Sequence, residues 1–180
     1  MRFRQLKQVF LLAILIVFFN SSCSNHKEQD ELNRIFPEYH FALDSIINDS
    51  IGIIHGAELG FKLNDIKSKE YKKPDELDVD YLLYNFTVDS LTKYDIAYNF
   101  TGDTLTEIEA RIQCKSIDEV GKILESLKNY YRVKYTAPLM DKGVYVFNCF
   151  DSKKRNFSIS LTDNSTTETG IINLLVYHEE

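Results

Sequence analysis

The sequence predicts an α+β fold of two layers, an antiparallel sheet with helices on one of its faces. Three observations predict it. Apolar residues recur at spacings of three and four near Leu32 and again after Ser116, the stripe of an amphipathic helix. Each stripe is followed by short Tyr-, Phe-, Val- and Ile-rich runs separated by polar turns, the pattern of antiparallel strands. Aromatic residues that suit a pleated, half-buried surface are abundant, with 11 Tyr and 12 Phe, and there are only three Pro to interrupt them.

The elements follow in order. Leu32, Ile35, Phe36, Tyr39, Ala42, Leu43, Ile46 and Ile47 mark a helix ending at Asn48-Asp49-Ser50, which Pro37 can divide. Ile51 to His55 is a short apolar stretch leading into Gly56 and Gly60. Phe61 to Glu70 reads as a short helix with Leu63 and Ile66 turned inward, and Lys72 to Asp75 as a turn. Tyr81 to Val88, Tyr94 to Phe100 and Leu105 to Ile112 read as strands. Ser116, with Glu119 three residues on, has capping-box spacing and opens a helix whose apolar face is Ile117, Val120, Ile123, Leu124, Leu127 and Tyr131. Strands follow at Val144 to Phe150, Phe157 to Leu161 and Ile171 to Tyr177. Both halves thus read helix, strand, strand, strand, which suggests duplication, although no residue-level repeat is visible.

Three regions precede this domain boundary. Arg2, Arg4 and Lys7 are positive, Val9 to Phe19 is unbroken apolar sequence, and Asn20-Ser21-Ser22 leads to Cys23. A charged start, an apolar run of roughly 7–15 residues and small residues at a cleavage site define a secretory signal. The run falls short of the about 20 residues a bilayer crossing needs. The expected organisation is a signal peptide over 1–22, a polar tether over 23–31 and a single α+β domain over 32–180.

Ser21-Ser22-Cys23 resembles the lipobox of Bacteroidetes-like bacterial lipoproteins, in a relaxed form with Asn20 where an aliphatic residue is usual. The resemblance implies cleavage before Cys23 and lipid (palmitate among it) on that cysteine. Several acyl chains together hold a protein on a membrane stably, whereas one binds marginally. Ser24 follows, not Asp, and His26 to Glu31 weakly resembles the acidic tract of surface-exported lipoproteins. The implied location is the cell envelope, at the outer membrane, facing periplasm or cell surface. Asp-Ser/Thr pairs at Ser45, Ser50, Ser90 and Thr104 resemble the O-glycosylation acceptors of such proteins; ordinary turn chemistry explains them equally.

Gly56, Gly60, Ile66, Glu70, Tyr84, Tyr98, Phe100 and Leu105 follow an order similar to that of small exported two-layer modules, those of outer-membrane assembly lipoproteins and of β-lactamase-inhibitor proteins. Lys62 departs from it, standing where a small helix-capping residue is expected. This loose likeness implies a binding or scaffolding module and carries over no catalytic residue.

Charge narrows the partners. Residues 1–22 hold three of the 21 basic residues and none of the 27 acidic ones, so 18 and 27 remain beyond them, a formal charge of −9. That balance argues against nucleic acid, whose phosphates require a basic patch. No nucleophile elbow, zinc-protease, P-loop or dinucleotide motif occurs, so no catalytic residue, cofactor or metal ligand is nominated. His26, His40, His55 and His178 are dispersed; His55 is the one to inspect, and its ordinary reading is a hydrogen-bonded histidine at a strand end. Gly56 and Gly60 fit a tight turn better than a phosphate cradle.

Two features invite structural tests. Cys114 and Cys149 permit one disulfide, or are buried apolar thiols. The tyrosines Tyr81, Tyr84, Tyr94, Tyr98, Tyr130, Tyr131, Tyr135 and Tyr145, the first four foremost, could include an aromatic binding surface, or stabilise cross-strand pairs. The expected function is a lipid-anchored, non-catalytic module binding an envelope protein or small ligand. An inhibitor or immunity-type protein, whose acidity complements a basic target, is the alternative, and a hydrolase with a dispersed site the third.

Overall fold

The computed structural model describes residues 40–48, 51–151 and 153–178. The fold is α+β, with eight antiparallel strands in one sheet of order β1-β2-β3-β4-β8-β7-β6-β5. The strands are β1 (Glu76–Leu77), β2 (Tyr81–Thr87), β3 (Lys93–Thr101), β4 (Thr104–Cys114), β5 (Leu139–Asp141), β6 (Val144–Phe150), β7 (Asn156–Asp163) and β8 (Gly170–His178). The helices are α1 (His40–Ile47), α2 (Leu63–Lys69) and α3 (Ile117–Lys134).

The two halves expected from the sequence are two four-strand meanders, each entered from a helix. Their last strands meet in the middle, with Ile108 opposite Val176 and Ile112 opposite Ile172. Each half gains one strand the sequence did not disclose, β1 and β5, and these form the two sheet edges. Both are only two or three residues long and wholly exposed.

Alternation assigns the faces. In β2, Leu82, Tyr84 and Phe86 are buried while Asn85 and Thr87 are exposed. In β4, Ile108, Ala110, Ile112 and Cys114 are buried and alternate with Glu109, Arg111 and Gln113. The inward set is covered by α1, the 51–62 loop, α2 and α3, and it forms the core.

α3 packs on β4, β8, β7 and β6. It buries Val120, Ile123, Leu127 and Tyr131 of the face read from its periodicity and Tyr130 besides, while Leu124 is only half-buried and Ile117 stays exposed. The Ser116 hydroxyl accepts the Glu119 N–H (3.3 Å), and the Glu119 carboxylate accepts Lys115 N–H (2.8 Å), closing the first turn. Gly170 lies beneath this helix start. A Cβ there would stand 2.5 Å from Val120 Cγ2, so only glycine lets helix and strand approach this closely.

α2 starts despite Lys62. The Asp65 carboxylate accepts the Lys62 N–H (3.0 Å), and the Lys62 ammonium donates to Thr104 Oγ1 (2.9 Å). Capping from inside the first turn replaces the missing small residue. The predicted helix over 32–50 is described from His40 only; its earlier part, with the signal peptide and tether, lies outside the described residues.

Candidate functional site

At three places the structure decides between readings that the sequence left open. Cys114 and Cys149 are buried thiols and do not form a disulfide. Cys114 pairs with Gly170 on β8, whereas Cys149 pairs with Phe157, which pairs with His178. They are three strands apart and at opposite ends of the sheet. At about 4.8 Å per strand and 3.3 Å per residue, that is about 14 Å across and 26 Å along, against the about 7 Å that a disulfide spans. Burial pushes the Cys114 thiol up to about 12, with Glu119 and Asp163 adding to it.

The four tyrosines do not form one surface. Tyr84, Tyr94 and Tyr98 are buried on the helix-covered face, where Tyr84 and Tyr98 meet edge-on at 6.0 Å and Phe86 stacks on Tyr94 at 4.8 Å. Tyr81 is half-buried and belongs to the opposite, uncovered face. Tyr81 and Tyr84 are three residues apart, so strand alternation alone sends them to opposite sides.

His55 is not at a strand end either. It sits in a bend at φ 50°, in the left-handed region. Its N–H donates to Ile47 O (2.8 Å), and Ile53 N–H donates to Ala57 O (2.7 Å), so backbone bonds hold the bend. Its ring is buried: Nδ1 is 3.1 Å from Glu70 Oε2 and Nε2 is 3.0 Å from the Tyr94 hydroxyl. The Tyr94 hydroxyl donates its one hydrogen to Ser45 O (2.6 Å), an atom that can only accept. Tyr94 can therefore only accept from His55, which fixes a proton on Nε2. Tyr98 donates to the other Glu70 oxygen (2.6 Å). One proton is left for the His55 Nδ1–Glu70 contact, giving an imidazolium–carboxylate pair or its neutral form. This constellation ties α1, the loop, α2, β3 and the core together. With both side chains only 1% exposed, it has no access for a substrate.

Solvent reaches a different place. A cavity of about 220 Å³ lies where the 52–59 loop, the end of α3 and the β6–β7 connection meet. Ile53, Leu59, Tyr135 and Phe157 give it apolar walls, and Phe150, 66% exposed, stands at its mouth. Tyr135 meets Phe157 edge-on at 5.5 Å. The loop can turn here because Gly52 sits at φ +85°, where a Cβ would lie 2.5 Å from the Gly56 carbonyl carbon.

Three charged residues line the cavity, and two are committed to the protein. Lys134 donates to Gly52 O and to the Tyr130 hydroxyl (3.0 Å). Asp151 accepts from Lys153 N–H and Arg155 N–H (2.8 Å each) and from Arg155 Nε (2.6 Å). Burial opposes ionisation of Asp151, but these bonds outweigh it and hold the carboxyl below the usual range. Arg155 also reaches Leu59 O (3.5 Å). The third, Glu58, is half-buried, and its carboxylate makes no hydrogen bond or ion pair among the described residues. It lies near enough to Tyr135 to add to the rise that burial and Cys149 impose on that phenol.

Of the cavity residues Tyr135 was among the tyrosines considered for a binding surface, whereas Glu58, Lys134, Phe150 and Asp151 were not nominated from sequence. Phe150 had a signal, since alternation in VYVFNCF turns Val144, Val146, Asn148 and Phe150 outward and an outward Phe is unusual. Of the other histidines, His178 contacts Asn156 O (3.1 Å), and His26 lies outside the described residues, as do Cys23 and Ser50. Gly56 and Gly60 have φ of 68° and 92°, consistent with turns. Among the described residues no group of three His, Cys, Asp or Glu is arranged to hold a metal, and no helix is long and apolar enough to cross a membrane. No protein-family model, curated protein or solved structure matches the chain.

Proposed function

We propose that this chain is a lipid-anchored cell-envelope protein acting as a non-catalytic binding module, and that it engages its partner at the Phe150 cleft. The observation that carries the reading is the pairing of an exposed Phe150 with an apolar-walled cavity behind it. Exposed aromatic side chains beside a pocket are the groups that dominate binding interfaces when desolvated. The Val9–Phe19 run and Cys23 support the anchor, and the acidity of the remaining chain supports a proteinaceous or soluble partner over nucleic acid or anionic lipid.

Affinity capture from detergent-solubilised envelope tests both parts. The full chain is expected to enrich a species that the Phe150→Ser variant loses, while Cys23→Ala moves the protein itself out of the membrane fraction. If no enriched species depends on Phe150, the cleft is not the contact surface. If Cys23→Ala stays membrane-bound, the lipid anchor is wrong.

A further inference from the structure

Resting on that binding reading, we infer that the cleft takes one basic side chain, a lysine or arginine presented by a partner protein, with Glu58 as its counter-charge. Size sets the first limit. The cavity of about 220 Å³ falls below the about 300–1,000 Å³ of pockets that enclose drug-sized ligands, so it suits a single side chain better than a cofactor.

Hydrogen-bond capacity sets the sign of the charge. Lys134 points its ammonium at a backbone carbonyl and a phenol, and both oxygens of Asp151 are engaged by Arg155 and Lys153. Glu58 alone of the three keeps both carboxylate oxygens unengaged by described residues. A half-buried carboxylate with open acceptors favours a ligand that brings donors and positive charge. The walls suit the rest of such a side chain, since Ile53, Leu59 and Phe157 can receive its methylenes while the charged end stays at the rim.

Aromatic faces in this corner already accept an ammonium. Lys134 Nζ lies 5.3 Å from the Tyr130 ring centre and 5.9 Å from that of Tyr135. Phe150, exposed at the mouth, offers another such face to an incoming cation. The net acidity of the chain beyond residue 22 draws cationic partners at long range. Lys134 also opposes a second cation, which keeps the single-side-chain affinity weak and leaves selectivity to Glu58.

The test is a chemical-shift titration of the full chain, purified in detergent, with Nα-acetyl-arginine methylamide and Nα-acetyl-lysine methylamide. The neutral norleucine and acidic glutamate analogues serve as comparisons. The basic probes are expected to move the amides of Glu58, Leu59 and Phe150 with a Kd on the order of 1 mM. Norleucine should bind about tenfold more weakly, and Glu58→Gln should weaken the basic probes by about the same factor. Added salt should weaken them further. Equal binding of norleucine, binding of the glutamate probe, no binding of either basic probe, or indifference to Glu58→Gln would each overturn the assignment. If envelope capture then still depends on Phe150, the binding module stands with a different ligand chemistry; if capture also fails, the broader reading falls with it.

Discussion

The eight-residue α1, a bent loop and the seven-residue α2 are tied to the β1–β4 half through β3, whereas the eighteen-residue α3 packs on β6, β7 and β8 and reaches across to β4. The long helix buries Val120, Ile123, Leu127, Tyr130 and Tyr131, several side chains at about 1.5–3 kcal/mol each. The short α2 buries Ile66 alone. The rest of that cover is apolar as well, with Leu43, Ile46 and Ile47 of α1 and Ile53, Ile54, Ala57 and Leu59 of the loop all buried, but it is spread over three short segments that must each be ordered. The first half adds what the second does without, a buried His55–Glu70 contact braced by two tyrosine hydroxyls. The same strand plan is thus closed once by one long helix and once by three short segments whose apolar contacts are joined by a polar network with mutually dependent members.

High pH should break both covers, and with the largest effect. Burial raises the phenols of Tyr84, Tyr94 and Tyr98 in the first half and of Tyr131 and Tyr135 in the second. Each therefore favours the folded state while protonated. That contribution is complete below the unfolded value near 10 and is lost as pH climbs through the folded one, about 12 for Tyr84. Absorbance at 295 nm should show the exposed tyrosines ionising first and these five only with unfolding. A single smooth titration near pH 10, with circular dichroism intact, would contradict the burial.

Removing one member of the polar network comes next. Glu70→Ala strands His55 and the Tyr98 hydroxyl together, and each buried polar group left without its partner costs about 1–3 kcal/mol. Leu127→Ala, under α3, should cost about 2–5 kcal/mol through cavity formation alone. The two are told apart by coupling. Glu70→Ala and Tyr98→Phe should be strongly non-additive in urea denaturation, whereas Leu127→Ala should add to either.

Gly170→Ala probes the second half by overpacking. Its Cβ would meet Val120 Cγ2 at 2.5 Å and Ser116 O at 3.1 Å, so the helix start must shift. About 1–3 kcal/mol should be lost. A change below a few tenths of a kcal/mol would mean that α3 rides more loosely on β8 than so close an approach implies.

The smallest effect carries the sharpest sign. Tyr98→Phe removes a hydroxyl bonded to Glu70 and should destabilise by about 1–3 kcal/mol. Tyr84→Phe removes a buried hydroxyl with no hydrogen-bond partner among the described residues, so it should be neutral or slightly stabilising. If both variants lose stability equally, the Tyr84 hydroxyl has an unrecognised partner.

The difference between the halves also decided what the sequence could reveal. α3 was legible because Ser116, Glu119 and the apolar stripe lie within one helix, and the six longer strands because alternation is local. β1 and β5 were not, because strands of two or three exposed residues carry no alternation. The polar network was illegible for a different reason. His55 and Glu70 are 15 residues apart and are joined by a left-handed bend that no periodicity encodes. The cleft draws on four segments, at Gly52–Leu59, Lys134–Tyr135, Phe150–Asp151 and Phe157, and only the fold assembles them. The tyrosine surface is the one reading that strand alternation, applied strictly, would have corrected beforehand.

The meeting of β4 with β8 also sets an order of events for a chain that leaves the ribosome, or crosses a membrane, from one end. β8 is the last of the eight strands in chain order and sits fourth from one edge of the sheet. Until Gly170–His178 arrives, the eleven-residue β4 has a bare flank, and β7 waits for the neighbour between them. The late strand works as a keystone, so the two meanders cannot mature one after the other like separate domains. Contacts of such long sequence separation form slowly, and unpaired strand edges invite association between chains. A holding factor during delivery would matter more to this protein than to one whose sheet grows outward from its first strand.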